Sequence, residues 1–130
     1  MAEALVRWVR EEVVAAVEGL GAPLRSVDNY ASYQCRSRNN VSGAPLSEHG
    51  RANALDIRSF KLANGKVVGL TDSHTARNVR ENLRKSACAR FSTVLGPGSD
   101  GYHEDHVHID LQRRARGRFP MCRWSVRGQE

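Results

Sequence analysis

The chain has 130 residues, of which 40% are apolar and 26% are charged, and these values fit one globular domain with a single core. Its formal net charge of +6 predicts attraction to polyanions, whether nucleic acid, anionic lipid or an acidic cell-wall polymer. The longest apolar run, near residues 13–17, is far shorter than the roughly 20 residues that span a bilayer. The sequence therefore predicts neither several domains within these residues nor a transmembrane segment.

The first 20 residues are predicted to form an amphipathic helix. Apolar residues recur there at helical spacing, at Leu5, Val9, Val13, Ala16 and Leu20. Gly19 and Gly21 mark the end of the helix. Charged residues before the apolar run argue against a signal-peptide core, so the chain is expected to be a mature or trimmed domain.

Strand patterns and turn signals alternate through the middle of the chain. A strand or short hairpin is predicted over residues 24–35, followed by a surface loop over residues 37–45. Another strand is predicted from Leu55, then a hairpin turn at Asn64-Gly65 and a strand over residues 66–70. This part of the chain is therefore expected to build an antiparallel sheet.

The second half of the chain combines one helix with two short strands. A helix capped by Asp72 or Ser73 is predicted to extend to about Cys88, and strands are predicted over residues 91–95 and 106–111. Arginine-rich residues 113–130 are predicted to be a solvated basic tail. The whole pattern predicts one compact α+β domain over residues 1–130, with a mainly antiparallel sheet and flanking helices.

Histidine clustering is the most informative chemical feature. Four of the five histidines lie in two places, SEHG and HEDHVHID, and these are His49, His103, His106 and His108. Side chains two apart share a face of a strand, so His106, His108 and Asp110 should project together. His49 and Asp56, at H-x6-D spacing, can supply two further donors of the kind that catalytic zinc sites use. The pattern predicts a divalent-metal site, with zinc preferred.

Other chemistries lack their signals. The HEXXH motif of another zinc-enzyme class is absent, as are the GxSxG of serine hydrolases and the GK[ST] of a phosphate-binding loop. His74 lies apart from the other histidines and is interpreted as a surface residue. The three cysteines allow either one disulfide with one thiol left over or three reduced thiols.

Several motifs resemble one known family. YQCR, LSEHGRANALDI, FSTVLGPGSDGYHEDHVHIDL and a closing CR are similar to the bacterial extensin-like C-terminal domain family, over about residues 2–124. SEHG-x5-D followed by H-x2-H-x-H also resembles the zinc-binding pattern shared by lysostaphin-type peptidases, D-Ala-D-Ala metallopeptidases, murein endopeptidases and hedgehog N-terminal domains. These resemblances imply a hedgehog/DD-peptidase-like fold.

The resemblance also implies roles for individual residues. One zinc ion would be held by His49, Asp56 and His108. His106 would act as the general base, with His103 assisting it or stabilising the oxyanion. Glu104 is a less favoured candidate for the base.

Three residues upstream complete the site that the resemblance implies. Arg36, Arg38 and Ser47 would line the substrate-binding part of it, with Arg36 preferred as the partner of a substrate carboxylate. A plain surface charge is the alternative for either arginine. Ser47 is expected to orient the loop and not to act as a nucleophile.

Family-like sequences around the cysteines imply a disulfide. A Cys35–Cys122 bridge would tie down the C-terminal segment, leaving Cys88 free or paired with a cysteine further upstream. Such cysteine use, together with the cell-wall substrates of the related enzymes, implies a periplasmic or secreted protein.

The leading functional expectation is a zinc metallopeptidase that hydrolyses an amide bond in peptidoglycan peptides, as a D,D-endopeptidase or a D,D- or L,D-carboxypeptidase. A non-catalytic, metal-containing module that binds cell wall or protein is the alternative. Specific nucleic-acid binding rests on charge alone and is not expected. The sequence leaves the oligomeric state open.

Overall fold

The computed structural model describes residues 2–31, 54–99, 101–112 and 121–126, and a six-stranded mixed sheet forms the centre of the domain. The strands are β1 (Leu24–Ala31), β2 (Ala54–Leu62), β3 (Val67–Gly69), β4 (Thr93–Leu95), β5 (Val107–Asp110) and β6 (Met121–Arg123). Their order is β1-β2-β5-β4-β6, and β3 pairs with β2 outside this path. Every pairing is antiparallel except that of β4 with β6. The predicted α+β class with a mainly antiparallel sheet is confirmed.

The N-terminal helix changes its winding along its length. It consists of α1 (Ala2–Trp8), a π-helical turn (Val9–Val13) and α2 (Val14–Val17). A π-helix closes each turn over five residues, so Trp8 and Val13 both face the core, followed by Val17. Leu5, Val9, Ala16 and Leu20, which carried the sequence pattern, are only partly buried at the edge of this face.

Trp8 is the anchor of this helix, and the periodicity argument did not single it out. Its side chain is fully buried, and its indole N–H donates to the Ser86 hydroxyl at 2.8 Å. The ring lies 5.9 Å from Phe60 of β2 and 5.7 Å from Phe91, measured between centroids. The N-terminal helix is thus fixed against both β2 and the chain around residues 86–91.

The β2–β3 hairpin forms at the predicted turn. Gly65 has a φ of +88°, a conformation that glycine adopts without steric cost. The Leu62 amide donates to the Lys66 carbonyl at 2.9 Å and closes the turn. The predicted Asn64-Gly65 hairpin is confirmed.

Helix α3 (Arg77–Arg90) begins later than predicted. Asp72 was expected to cap it, but its carboxylate accepts from the His74 amide at 2.9 Å and forms a separate turn. The N-cap is Ala76, which makes no side-chain cap, and Val79, Leu83 and Ala87 are the apolar residues buried along the inner face. The expected inner face is therefore observed, while the predicted cap is wrong.

The C-terminal segment contains a strand where a solvated basic tail was predicted. Residues 121–123 form β6 beside β4, and Trp124 is buried under Gly96. A side-chain carbon at Gly96 would lie 2.8 Å from the Trp124 ring, so a glycine is needed there. Residues 121–126 thus belong to the domain, because sheet pairing and an aromatic anchor outweigh the local arginine content.

A disulfide joins Cys88 of α3 to Cys122 of β6. This pairing corrects the expected Cys35–Cys122 bridge and the expectation that Cys88 is free or paired with a cysteine further upstream. The Cα atoms of Cys88 and Cys122 are 5.5 Å apart, a separation that a disulfide spans. Cys35 lies outside the described residues.

Across the described part of the chain, no helix has the length and apolar character to cross a membrane.

Candidate metal centre

The centre is built where β2 and β5 pair in the middle of the sheet. In this antiparallel register Asp56 lies directly opposite His108. The neighbours of these residues, Ile57 and Val107, are buried in the core on the opposite face. Strand alternation therefore brings together two polar side chains that are 52 positions apart in the chain.

His108 lies between two carboxylates. Its Nδ1 is 3.1 Å from Oδ1 of Asp56, and its Nε2 is 2.7 Å from Oδ2 of Asp110. Burial by itself would lower the pKa of this imidazole, but hydrogen bonds to Asp110 and Asp56 outweigh it and raise the pKa to about 9. The two carboxylates therefore favour the protonated, positively charged form of the His108 imidazole.

Asp110 is held from several directions. Its Oδ1 accepts from the Gln112 amide at 3.0 Å, and Ser92 and Thr93 hydroxyls also hydrogen-bond to its carboxylate. Burial would raise the pKa of this carboxyl, but the bonds from His108, Thr93 and Gln112 lower it below the usual value. Asp110 is therefore a fixed, ionised acceptor for His108.

The loop before β5 brings in two more imidazoles. His103 and His106 are both buried, and their ring centroids are 5.0 Å apart. Nδ1 of His106 is 2.8 Å from the Asp105 carboxylate, and its Nε2 is 3.8 Å from Oδ2 of Asp56. The ring of His103 also lies 5.7 Å from that of His108. The three histidines thus surround the same aspartate.

Glu104 lies in the same loop and contacts the backbone of the turn before it. Its carboxylate accepts from the Gly98 amide at 3.0 Å, and its side chain is exposed. Gly98 and Gly101 have φ values of +87° and +82°, which suit glycine in the tight turns of the loop. The contact supports the loop that carries His103 and His106.

The donor set suits a first-row divalent metal. Asp56, His103 and His106 each offer one ligand atom, and these atoms lie within 4.8 Å of one another. Neutral imidazole nitrogen and carboxylate oxygen are the donors of catalytic zinc sites. Because Cys88 and Cys122 are joined in a disulfide, neither supplies a thiolate. The buried residues present therefore fit a metal ion with nitrogen and oxygen ligands.

Four of the predicted site residues come together here, namely Asp56, His103, His106 and His108. The three residues whose ligand atoms lie within 4.8 Å of one another are Asp56, His103 and His106, called the trio below. The predicted ligand set shares only Asp56 with this trio, because its other two members are His49 and His108. His49, Arg36, Arg38 and Ser47 lie outside the described residues, so their assignments stay predictions.

The sequence argument had assigned no role to Asp105, although it stands beside His106 in HEDHVHID. Its contact with His106 lowers the pKa of the Asp105 carboxyl, with a smaller contribution from the positive charge of Arg58. The signal that could have found it is the direct adjacency of a carboxylate and a histidine. A residue next to a metal-site imidazole can fix which ring nitrogen carries the proton.

Comparison with known proteins places the chain by family only. A family model described as extensin-like protein C-terminus matches residues 1–123. No curated protein and no solved structure matches the chain.

Proposed function

The chain belongs to the extensin-like protein C-terminus family, and we propose that it is a zinc-dependent hydrolase that cleaves an amide bond in peptidoglycan peptides. The observation that carries the proposal is the buried Asp56 carboxylate, which faces His108 with one oxygen and His106 with the other. More imidazoles surround it than a three-ligand metal site needs. The surplus fits catalysis better than a purely structural metal site.

In this proposal, zinc is held by His49, Asp56 and His108. Two described contacts support the choice of His108. The 3.1 Å between its Nδ1 and Asp56 is close to the roughly 3.3 Å that separates neighbouring ligand atoms around tetrahedral zinc. Asp110 at Nε2 has the position of the carboxylate that commonly orients a metal-binding histidine.

When bound, zinc would supply Lewis-acid chemistry by polarising a carbonyl and making water nucleophilic at neutral pH. The chain's own residues would then move the protons. Because Nδ1 of His106 faces Asp105, its N–H donates there and Nε2 becomes the basic nitrogen. This nitrogen can take a proton from water and return it to the leaving amine. His103, beside His106, assists this transfer.

A second ligand assignment follows from the trio of Asp56, His103 and His106. In that arrangement His108 would bridge Asp56 and Asp110 as a cation and position the aspartate. The two assignments differ in which histidine is needed for zinc binding, and variants can therefore separate them.

Two further features bear on the substrate class and the location. A net charge of +6 suits association with an anionic cell wall, because a basic surface attracts polyanions. The Cys88–Cys122 disulfide is of a kind that persists in oxidising compartments, which supports a periplasmic or secreted location.

The test is to measure zinc content by mass spectrometry and to incubate the zinc-loaded protein with purified muropeptides, with and without a chelator. We expect released products only with zinc. His106→Ala should keep zinc and lose about 100-fold or more in turnover, because general acid–base catalysis contributes that much. His108→Ala should lose zinc. His74→Ala is the matched control, since this histidine is 92% exposed in its side chain.

Removing His108 leaves two buried carboxylates facing each other, so His108→Gln and circular dichroism are needed to verify folding. If the wild-type protein binds zinc and cuts no peptide, the hydrolase proposal is wrong and a metal-containing binding module remains. If His103→Ala loses zinc and His108→Gln retains it, the trio is the ligand set.

A further inference from the structure

The loop between β4 and β5, residues 96–106, carries His103 and His106 and is called the histidine loop below. The structure describes its residues 96–99 and 101–106. The end of the loop leads into β5, and its start lies against residues 121–125, which contain β6 and are called the β6 segment. A segment without a histidine therefore borders the loop that carries two buried imidazoles.

Backbone hydrogen bonds and close packing join the β6 segment to the start of the histidine loop. The Gly96 amide donates to the Arg123 carbonyl at 2.8 Å. The Ser125 amide donates to the Pro97 carbonyl at the same distance. Because a side-chain carbon at Gly96 would lie 2.8 Å from the Trp124 ring, the two segments are in direct contact there. The β6 segment thus fixes the path of residues 96–97.

The support continues from Gly98 to the histidines. A side-chain carbon at Gly98 would lie 2.9 Å from the Ser125 hydroxyl, so the two segments also touch at this residue. The Gly98 amide in turn donates to the Glu104 carboxylate at 3.0 Å. Glu104 directly follows His103, and His106 lies two residues further on. A line of contacts therefore runs from the β6 segment to the buried imidazoles.

The Cys88–Cys122 disulfide holds the β6 segment against the rest of the domain. In the described sheet β6 is a three-residue strand at the edge, beside β4. Short elements with few buried contacts open locally at a low cost in free energy. The bridge opposes such opening by fixing Cys122 to α3, whose inner face belongs to the core. Breaking it lowers the cost of releasing the β6 segment and, with it, the histidine loop.

The surroundings of the bridge favour attack by an external thiol. Cys122 is exposed, whereas Cys88 is half-buried beside the core. Nη1 of Arg84 lies 3.7 Å from Sγ of Cys122. A positive charge next to a sulfur stabilises the thiolate, the form in which a sulfur leaves during exchange. Cys122 is therefore both accessible to a thiol and stabilised as a leaving group.

The exchange requires a dithiol as the reductant. One thiolate of the dithiol attacks Sγ of Cys122 and forms a mixed disulfide, while the bond to Cys88 breaks and Cys88 leaves as a thiolate. The second thiolate of the dithiol then attacks the first sulfur, and Cys122 leaves beside Arg84. The dithiol ends as a disulfide, two electrons have passed to the cysteines, and its two protons end on them.

We propose that the β6 segment positions the histidine loop, and that reduction of the Cys88–Cys122 disulfide by a dithiol releases both and displaces His103 and His106. The oxidised protein then has the complete centre, and the reduced protein does not. The effect on turnover rests on the proposed function, in which His106 is the base. The change in the loop is measured without substrate or metal.

NMR relaxation tests the backbone part of the inference. It compares the oxidised protein with the protein reduced by dithiothreitol, both carrying Cys35→Ser so that no third thiol takes part. In the reduced protein, order parameters should fall from about 0.85 to below about 0.6 in residues 96–99, 101–106 and 121–125. Residues 54–62 of β2 should stay near 0.85, which shows that the fold is intact.

Carbethoxylation by diethyl pyrocarbonate tests the side chains. Reduction should speed the modification of the buried His103 and His106 by about tenfold or more, since a bridge of this kind stabilises a domain by more than that factor. His74, which is 92% exposed in its side chain, should react at the same rate in both forms. Val13→Ala is the matched control, because it weakens the core at the N-terminal helix and leaves the bridge intact.

Ser125→Pro separates the contact from the disulfide, since it removes the amide that donates to Pro97 and keeps the bridge. It should also speed modification of His103 and His106, by less than reduction does. If reduction unfolds the whole chain, this variant decides by the same measurements.

The inference is overturned if both histidines react equally slowly in the folded reduced protein and in the oxidised protein. It is also overturned if Val13→Ala speeds them as much as reduction does, or if Ser125→Pro leaves them slow. Failure of the proposed function is a separate result, because it shows as no cleavage of muropeptides by the oxidised, zinc-loaded protein.

Discussion

At the scale of single residues, two carboxylates give two similar histidines different environments. Asp110 is buried and holds Nε2 of His108 at 2.7 Å. Asp105 is 73% exposed in its side chain and holds Nδ1 of His106 at 2.8 Å. The carboxylates thus hold opposite ring nitrogens in the two histidines. As a result, the nitrogen directed at Asp56 is Nδ1 in His108 and Nε2 in His106. This difference supports separate roles for the two histidines.

Matched substitutions of these carboxylates test the division of roles. Asp110→Asn should weaken zinc binding by about 10-fold to 100-fold, because it removes the group that orients a ligand histidine. Asp105→Asn should leave zinc affinity unchanged and reduce turnover. Zinc affinity is measured by competition with a chromophoric chelator, and turnover by release of muropeptide products.

The reverse pattern would contradict the assignment. If Asp105→Asn weakens zinc binding and Asp110→Asn does not, His106 is a ligand and His108 is not. Each variant serves as the control for the other, since both replace a carboxylate by an amide of the same shape.

At the scale of elements, the C-terminal strand is attached to the domain at three points. β6 pairs with β4, Cys122 is joined to Cys88 of α3, and Trp124 packs on Gly96. β4 in turn pairs with β5, which carries His108 and Asp110. The disulfide is thus connected through β6 and β4 to β5, a strand of the candidate metal centre.

Cys88→Ser tests the contribution of this link. The bridge closes a sequence separation of 34 residues, and such loops typically stabilise a domain by about 2–4 kcal/mol. We expect the variant to melt about 10 °C lower than the wild-type protein, measured by circular dichroism. Reduction of the wild-type protein should lower its melting temperature by a similar amount.

Cys35→Ser is the control for this experiment. Mass spectrometry of unreduced peptides should still find Cys88 joined to Cys122 in that variant. A Cys35–Cys122 peptide in the wild-type protein would contradict the observed pairing.

At the scale of the whole molecule, the candidate metal centre joins distant parts of the fold. Asp56 comes from β2, His108 from β5, and His103 and His106 from the loop between β4 and β5. A metal held by these residues binds the folded chain and not the unfolded one, so binding must stabilise the fold.

Zinc should therefore raise the melting temperature, and a chelator should reverse the effect. At a free zinc concentration 100 times the dissociation constant, the expected stabilisation is about 2.7 kcal/mol, or several degrees for a domain of this size. Scanning calorimetry with stepwise addition of zinc measures it. His74→Ala should respond like the wild-type protein. A melting temperature that does not change when zinc is added would contradict the proposed metal centre.

Local patterns in the sequence were sufficient for much of the fold. The α+β class, the hairpin at Asn64-Gly65 and the inner face of α3 follow from periodicity and turn chemistry, which act over a few residues. The grouping of His106, His108 and Asp110 followed from strand alternation, and the proximity of His108 to Asp110 agrees with it. These features depend on side-chain direction within one element, which the sequence determines by itself.

Only the tertiary structure decided the features that depend on pairing between elements. The placement of Asp56 opposite His108, the Cys88–Cys122 pairing and the strand at residues 121–123 require the register of segments far apart in the chain. The bulge at Arg58 and the π-helical turn after Trp8 also come from fitting elements together, because each shifts local periodicity by one residue. The sequence alone therefore indicated a metal site from its residue types, and tertiary packing decided which atoms face one another within it.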